Sequence, residues 1–263
     1  MDKVKIVIAT HKKHPMPKDS DLYVPIHVGK QGKDSLGYQG DDTGDNVSQL
    51  NPYYSELTAL YWAWKNLDYD YLGLVHYRRY FTLKKIKFSD NTDINSIILS
   101  HSDINNLLSK YDMILPKKQN YYIETLYSHY SNTFDKTHLD LSRQLISEFF
   151  PNYLNSFDKV MKQKSGHMFN MFIMKKEHID NYLTWLFSIL EKLMLTIDTT
   201  NMTFFEKRLF GRVSEILFNV WLDYHQISYK EVNVIYTSKV NYFKKAYGFL
   251  MAKFFKRKYK ESF

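Results

Sequence analysis

Two adjacent arginines directly follow an apolar stretch of the chain. Residues 71–76, Tyr-Leu-Gly-Leu-Val-His, lead into Tyr77, Arg78 and Arg79. A guanidinium group matches phosphate oxygens through paired hydrogen bonds, so the two arginines predict a cation site for a diphosphate. Because successive side chains of an extended chain point to opposite faces, only one of them is expected to reach the ligand. Two surface arginines at a strand end are the alternative.

Carboxylates lie upstream of this pair. Asp41, Asp42 and Asp45 belong to a polar loop over residues 29–50, and Glu56 follows it. A polar loop of this length inside a domain is usually functional or mobile, and a functional loop would make these groups candidate bases or metal ligands. Solvation alone is the alternative for at least two of the three aspartates. For Glu56 the alternative is attraction to the positive end of a helix.

The elements that must position these side chains alternate between strands and helices. Asn51 as an N-cap and Pro52 at the first helical position predict the start of a helix. A helix between two apolar strands predicts a βαβ unit, whose parallel strands bind ligands in a crevice at their carboxyl ends. We expect residues 76–79 in that crevice. The predicted strands are residues 3–10, 23–28, 71–76, 112–116, 168–174 and 229–236; the predicted helices are residues 53–67, 102–110, 177–195 and 205–225, with broken helices between 135 and 163.

Composition limits the class of protein. The 263 residues are 44% hydrophobic and include no cysteine, which favours a globular α/β domain and excludes thiolate catalysis, cysteine-bound zinc and disulfides. The net charge is +8, but residues 242–263 hold seven Lys or Arg against one Glu, which leaves the body nearly neutral. A nucleic-acid-binding domain needs a basic face, so we expect no nucleic-acid partner. No apolar run is long enough for a membrane span or a signal peptide, and we expect the protein to stay in the cytoplasm.

The basic C-terminal segment is also amphipathic. Apolar residues recur on one helical stripe, with the lysines beside or opposite it. Such a segment is expected to bind the inner, anionic membrane surface peripherally, and packing of the stripe on the domain is the alternative. We therefore predict one domain over residues 1–240 and a basic tail over residues 241–263. The stripe consists of Phe243, Tyr247, Leu250, Met251 and Phe254.

Unusual strings occur in order along nearly the whole chain. They are IVIATHK, GDDTGDN, NPYYSELTALYWAWKN, LGLVHYRRYF, GHMFNMFIM and RLFGRVSEILFNVWL. With these strings the sequence closely resembles a family of bacterial glycosyltransferases of capsular and exopolysaccharide biosynthesis, long described as a domain of unknown function. The resemblance implies a single Rossmann-like α/β domain of the GT-A type with a mostly parallel central sheet. The broken helices would form an insertion that shapes the acceptor site, and a C-terminal amphipathic helix would follow.

The resemblance further implies an activity. Members of the family would transfer a sugar from a UDP-sugar, for some members UDP-galactofuranose, to a saccharide hydroxyl. The acceptor would be an oligosaccharide or an undecaprenyl-diphosphate-linked intermediate of the capsule or exopolysaccharide. A non-catalytic, membrane-associated scaffold or polysaccharide-binding protein of the same fold is the alternative.

A departure from the usual GT-A pattern concerns the metal. Ordinary GT-A enzymes carry an Asp-x-Asp motif that binds a divalent metal, whereas the matching segment here, residues 75–79, has no carboxylate. The leaving diphosphate still needs its developing charge stabilised, and arginines can supply that stabilisation. We therefore expect metal-independent transfer with no cofactor. Mn or Mg held by His76 and an acidic loop residue is the alternative.

The resemblance also implies roles for individual residues. Inverting transfer needs a carboxylate that takes the acceptor proton, and Glu215 is the expected base, ahead of Asp41, Asp42 and Glu56. An ion pair with Arg212, three residues away on one helical face, is the alternative. The expected donor contacts are Thr10, His11, Asp41, Asp42, Asn46, Asn51, Tyr54, Glu56, His76, Arg78 and Arg79; the expected acceptor contacts are His167, Asn170, Arg208 and Arg212.

Overall fold

The structure, a computed structural model, describes residues 2–86, 89 and 92–237. The predicted tail over residues 241–263 lies outside the described residues. The described residues form two compact units: the first contains residues 2–86, 89, 92–117, 169–184 and 227–237, and the second contains residues 118–168 and 185–226. Within the described part of the chain, no helix is both long enough and apolar enough to cross a bilayer.

The predicted strands and helices occur in the expected order, and the structure adds strands over residues 39–40, 79–82, 119–120 and 165–166 and a helix over residues 126–133 that the sequence analysis does not predict. The strands are β1 (Val4–Thr10), β2 (Tyr23–His27), β3 (Gln39–Gly40), β4 (Tyr71–His76), β5 (Arg79–Thr82), β6 (Met113–Pro116), β7 (Gln119–Asn120), β8 (Ser165–Gly166), β9 (Phe172–Lys175) and β10 (Tyr229–Tyr236). The helices are α1 (Asn51–Tyr54), α2 (Leu57–Asn66), α3 (His101–Leu108), α4 (Leu126–Thr133), α5 (Thr137–Phe149), α6 (Leu154–Met161), α7 (Lys176–Thr196), α8 (Phe204–Lys207) and α9 (Leu209–His225).

The first unit is built on a mixed sheet with the strand order β3-β2-β1-β4-β5-β10-β6-β9, in which β4 also pairs with β9. Strands β1 to β4, β6 and β10 run in one direction, and β5 and β9 run in the other. Strand β5 must be antiparallel because only two residues, Tyr77 and Arg78, separate it from β4. The expected α/β architecture is present. The sheet, which the sequence analysis expects to be mostly parallel, is mixed, because β5 and β9 run antiparallel to the other strands.

Burial follows from the position of each strand in this sheet. Strand β1 lies between β2 and β4, and its side chains are buried on both faces, as the near-continuous apolar run Val4–Ala9 requires. Gly73 in β4 allows close packing against β9, because a Cβ atom there would lie 2.8 Å from Ile173 Cγ1 and 3.0 Å from the carbonyl oxygen of Phe172. The first unit therefore offers a rigid set of strand ends on which a site can be built.

Two predicted elements are shorter than the sequence indicates. The strand expected over residues 168–174 begins only at Phe172, because Phe169 and Asn170 have left-handed φ angles of 76° and 52°. The helix expected over residues 53–67 is interrupted at Ser55, which has φ 54° and ψ −126°. Asn51 is the first helical residue, not the N-cap, and the N-cap is Leu50. Glu56 consequently lies at the N-cap of α2, outside the first turn of the helix that begins at Asn51.

The second unit is mainly helical. It contains α4, α5, α6 and α9 together with the short pairing of β7 with β8. Tyr153 packs between Trp185 and Tyr224, with ring centroids 4.8 Å and 3.9 Å away. The helices predicted between residues 135 and 163 are broken as expected, since a short 3-10 helix, Pro151–Tyr153, separates α5 from α6.

Candidate active site

The carboxyl ends of several parallel strands meet at one edge of the sheet in the first unit. His76 ends β4 and pairs with Arg79, the first residue of β5. Arg79 pairs in turn with Tyr236, the last residue of β10. A tight turn of Tyr77 and Arg78 therefore holds both arginines at this edge, where open α/β sheets bind ligands.

Arg79 is the more enclosed of the two arginines. Its guanidinium carbon lies 4.5 Å from the centroid of the Phe169 ring and 5.6 Å from that of Tyr236. Its Nε atom is buried and has no hydrogen-bond partner among the described residues. A buried donor without a partner is costly unless a ligand satisfies it. Arg79 is thus held by aromatic rings with a hydrogen-bond donor left for an anion.

Tyr77 anchors a group of basic side chains. The tyrosine is only 5% exposed, and the rings of His11 and His14 each meet its ring edge-on at a centroid distance of 5.3 Å. Lys12 Nζ lies 5.5 Å from the same centroid, and the exposed Arg78 packs on the ring with its guanidinium carbon at 5.1 Å. This edge of the sheet therefore carries positive charge in addition to that of Arg79.

His27, at the end of β2, adds no charge to this edge. Burial lowers the pKa of its imidazole below the usual value, and the neighbouring Lys33 acts in the same direction. The imidazole is only 3% exposed, and its Nδ1 atom has no hydrogen-bond partner within the described chain. His27 is therefore neutral near pH 7.

The turn that precedes β9 connects His76 with Glu56. The Nε2 atom of His76 lies 2.7 Å from the carbonyl oxygen of Phe169, and it must be the donor because a carbonyl oxygen can only accept. The next residue, Asn170, is 2% exposed and donates from Nδ2 to Glu56 Oε1 over 2.8 Å. His76 and Glu56, which the sequence analysis expects to contact the sugar donor, therefore lie close to Asn170, which it expects to contact the sugar acceptor.

The acidic loop is organised around Asp41. This carboxylate is fully buried and accepts hydrogen bonds from the backbone of Gly29 and Lys30 and from the hydroxyl of Ser48, at 2.7, 2.9 and 2.5 Å. Asp42 lies 3.7 Å from Lys30 Nζ. Asp41 therefore has a structural role, and a donor contact through either aspartate stays a prediction.

The remaining predicted donor contacts also hold local structure. Thr10 donates from its hydroxyl to the carbonyl oxygen of Lys12 over 2.7 Å, and Tyr54 is buried. Asn46 accepts from the amide of Ser48 over 3.2 Å. Asn51 donates to the carbonyl oxygen of Ser55 over 2.8 Å. These contacts shape the loops around the strand ends, and none of them tests a contact with a ligand.

Other predicted site residues belong to the second unit. His167 is buried, and the side chain of Asn219 bonds to both its backbone amide and its carbonyl oxygen at 2.8 Å. Arg212 packs on Phe134 and Phe205 with its guanidinium carbon 4.4 and 4.0 Å from their centroids. The predicted acceptor set is therefore divided: Asn170 is in the first unit, whereas His167, Arg208 and Arg212 are in the second, together with Glu215.

Sequence reasoning missed the aromatic partners of Arg79. Phe169 and Tyr236 lie far from Arg79 in sequence, and nothing in their local patterns marks them as site residues. Their role follows from β-sheet register and from a left-handed turn, which periodicity does not reveal. No group of three or more His, Cys, Asp or Glu side chains suited to a metal occurs among residues 2–86, 89 and 92–237.

Comparison with known proteins adds an independent finding. The chain is similar to a solved structure, the WbbM bifunctional glycosyltransferase in its apo form, with 31% sequence identity and a TM-score of 0.82. The similarity covers 90% of this chain and 46% of the other, so this chain spans less than half of that protein. No curated protein matches. Residues 5–226 match the profile of a domain of unknown function, DUF4422, and the chain belongs to that family.

Proposed function

We propose that this protein is a glycosyltransferase that moves a sugar from a UDP-sugar to a hydroxyl group of a saccharide, with inversion at the anomeric carbon. The observation that carries the proposal is the enclosed Arg79 guanidinium at the carboxyl edge of the sheet, with a buried Nε atom that lacks a partner among the described residues. The similarity to a glycosyltransferase over 90% of the chain supports the same activity.

The reaction needs positive charge where the diphosphate leaves. As the bond from the anomeric carbon to the phosphate oxygen breaks, negative charge develops on the diphosphate, and donors fixed in advance stabilise it without reorganisation. Arg79 is held in this way by two aromatic rings. The basic side chains around Tyr77 would add longer-range attraction for the same anion. We therefore propose transfer without a divalent metal.

The finer assignments rest on the sequence strings. We propose a lipid-linked oligosaccharide of capsule or exopolysaccharide synthesis as the acceptor, with UDP-galactofuranose as one donor to be tested. Donor contacts from Thr10, His11 and Asn51 and acceptor contacts from His167 and Arg208 belong to the same proposal.

Thermal unfolding with a panel of UDP-sugars tests the proposal. A donor at a hundred times its dissociation constant should stabilise the protein by about 2.7 kcal/mol, which for a chain of this size raises Tm by roughly 5–10 °C. The increase should persist with EDTA because arginine, not a metal, holds the diphosphate. Protection that EDTA removes and manganese restores would contradict the metal-free site. If no nucleotide or nucleotide sugar protects the protein, a non-catalytic scaffold is the better assignment.

The tail leads to a separate prediction. Each Lys or Arg near an anionic membrane contributes about 1 kcal/mol, so we propose that the tail brings the enzyme to its lipid-linked acceptor. Replacing Lys253, Lys256, Arg257, Lys258 and Lys260 with glutamine should abolish sedimentation with anionic vesicles at physiological salt and preserve protection by the donor. Vesicles of neutral lipid are the control. Equal sedimentation of both proteins with anionic vesicles would contradict the anchor.

A further inference from the structure

The side chain of Glu56 occupies an unusual position for a residue at a helix N-cap. It makes no capping hydrogen bond to α2 and is directed to the turn before β9, where Oε1 accepts from Asn170 Nδ2 at 2.8 Å. Glu56 is half-buried, and within the described residues no hydrogen bond involves its second oxygen, Oε2. One oxygen is thus fixed by the protein while the other is available to accept a proton.

The backbone on both sides of this contact is strained. Ser55, Phe169 and Asn170 have φ angles of 54°, 76° and 52°, and they account for three of the five non-glycine residues with positive φ in the described chain. Hydrogen bonds hold both segments in place: Asn51 Nδ2 donates to the Ser55 carbonyl oxygen, and His76 Nε2 donates to that of Phe169. Strain that surrounding contacts maintain in this way is concentrated at functional sites.

The turn at Phe169 and Asn170 contacts both Glu56 and Arg79, the proposed cation of the diphosphate site. The Phe169 ring packs against the guanidinium of Arg79 at 4.5 Å, and the adjacent Asn170 holds Glu56. Two neighbouring residues thus fix, within one unit, the cation for the leaving group and a carboxylate. A sugar transferase needs both groups at the two sides of the reacting carbon.

We propose that Glu56 is the general base of the transfer reaction and that Asn170 is its positioning residue. The assignment rests on the proposed function. The acceptor oxygen forms a bond to the anomeric carbon and loses its proton to Glu56 Oε2. The bond from that carbon to the phosphate oxygen breaks, and its electron pair leaves with UDP, whose charge Arg79 stabilises.

Asp41 fits this role less well, and Glu215 stays a rival candidate. Asp41 is fully buried, and its two oxygens receive three hydrogen bonds from Gly29, Lys30 and Ser48. Glu215, the base expected from sequence, belongs to the second unit. The choice between Glu56 and Glu215 is open to direct measurement.

The test measures sugar transfer and donor protection on Glu56→Gln in the full chain. Transfer at saturating donor should fall about a hundredfold or more, the range for loss of a general base, while protection by the UDP-sugar stays near normal. Glu177→Gln, which alters an exposed glutamate of the same unit, is the matched control. Near-normal transfer by Glu56→Gln would overturn the assignment. So would equal losses of protection and transfer, which would make Glu56 a donor contact only.

Asn170 is tested separately, with substitutions that tolerate its left-handed backbone. Asn170→Gly keeps that conformation and removes the hydrogen bond to Glu56, so kcat should fall roughly tenfold at an unchanged KM for the donor. Asn170→Asp removes the amide donor and places a second carboxylate against Glu56, so kcat should fall at least as far as in Asn170→Gly. The other ionisable groups attached to the turn, His76 and Arg79, are unchanged in both variants. An unchanged kcat in both variants, or a fall in kcat matched by a rise in KM for the donor, would overturn the positioning role.

The outcomes separate this inference from the function on which it rests. If the unaltered protein neither binds nor uses any UDP-sugar, the proposed function fails and the assignment of Glu56 fails with it. If the unaltered protein transfers sugar and Glu215→Gln loses transfer while Glu56→Gln keeps it, only the assignment of Glu56 is overturned. Loss of transfer in Glu56→Gln with donor protection retained supports both.

Discussion

Replacing Arg79 with alanine should weaken the binding of a UDP-sugar by about ten- to a hundredfold, and the same change at Arg78 should have a much smaller effect. A charge-assisted hydrogen bond is worth about 1.5–3 kcal/mol, which corresponds to that range. Arg79 is half-buried between two aromatic rings and has a buried donor with no partner in the described chain. Arg78 is exposed and packs on Tyr77, so solvent screens its charge.

The affinity of each variant for the UDP-sugar is measured by adding increasing donor and monitoring thermal unfolding or the heat of binding. Arg79→Lys is the informative control, because a lysine keeps the charge but loses the planar group that packs on Phe169 and binds an anion with two hydrogen bonds. It should recover only part of the affinity. Equal and negligible effects of Arg78→Ala and Arg79→Ala would contradict a diphosphate site at this edge of the sheet.

The contrast between the two arginines shows how far the sequence alone could go. An extended chain places Arg78 and Arg79 on opposite faces, so the sequence predicts that only one reaches a ligand. It does not predict which one. That answer depends on the pairing of β5 with β10, which sets Arg79 opposite Tyr236 and involves residues more than 150 positions apart. Local patterns predict the strand, whereas the choice of face requires the register of the sheet.

The turn at Phe169 and Asn170 could not be predicted for a different reason. The string Met-Phe-Asn-Met-Phe-Ile-Met has a strand-like composition, and phenylalanine rarely adopts a positive φ angle. The local preference is overridden by hydrogen bonds from His76 to Phe169 and from Asn170 to Glu56, both between residues far apart in sequence. The candidate site therefore depends on contacts between distant residues, which local sequence patterns do not report.

The break in the helix before Glu56 could not be predicted from the sequence either. Asn51, Pro52 and the apolar spacing correctly predict helical structure from that point, yet nothing in the local composition marks the break at Ser55. The side chain of Asn51 holds the break by donating to the Ser55 carbonyl oxygen. A continuous helix over residues 53–67 would place Glu56 in its first turn, where the helix dipole favours a carboxylate. The break places Glu56 at the start of a second helix, where its side chain binds Asn170.

Asp41→Ala should reduce the free energy of unfolding by about 3 kcal/mol, because it leaves buried donors without their acceptor at a cost of roughly 1–3 kcal/mol each before relaxation. The donors are the amides of Gly29 and Lys30 and the hydroxyl of Ser48. For a chain of this size the change lowers Tm by roughly 6–12 °C.

The neighbouring residue supplies the control. Asp42 is partly exposed, and its carboxylate lies 3.7 Å from Lys30 Nζ. A solvent-exposed ion pair of this kind contributes at most about 1 kcal/mol to the free energy of unfolding. Asp42→Ala should therefore leave Tm nearly unchanged. Thermal unfolding of both variants without any ligand decides between a structural and a ligand-binding role for the loop. If Asp41→Ala keeps the Tm of the unaltered protein and loses only its protection by UDP-sugars, the buried carboxylate serves the donor, and its hydrogen bonds to the loop are secondary.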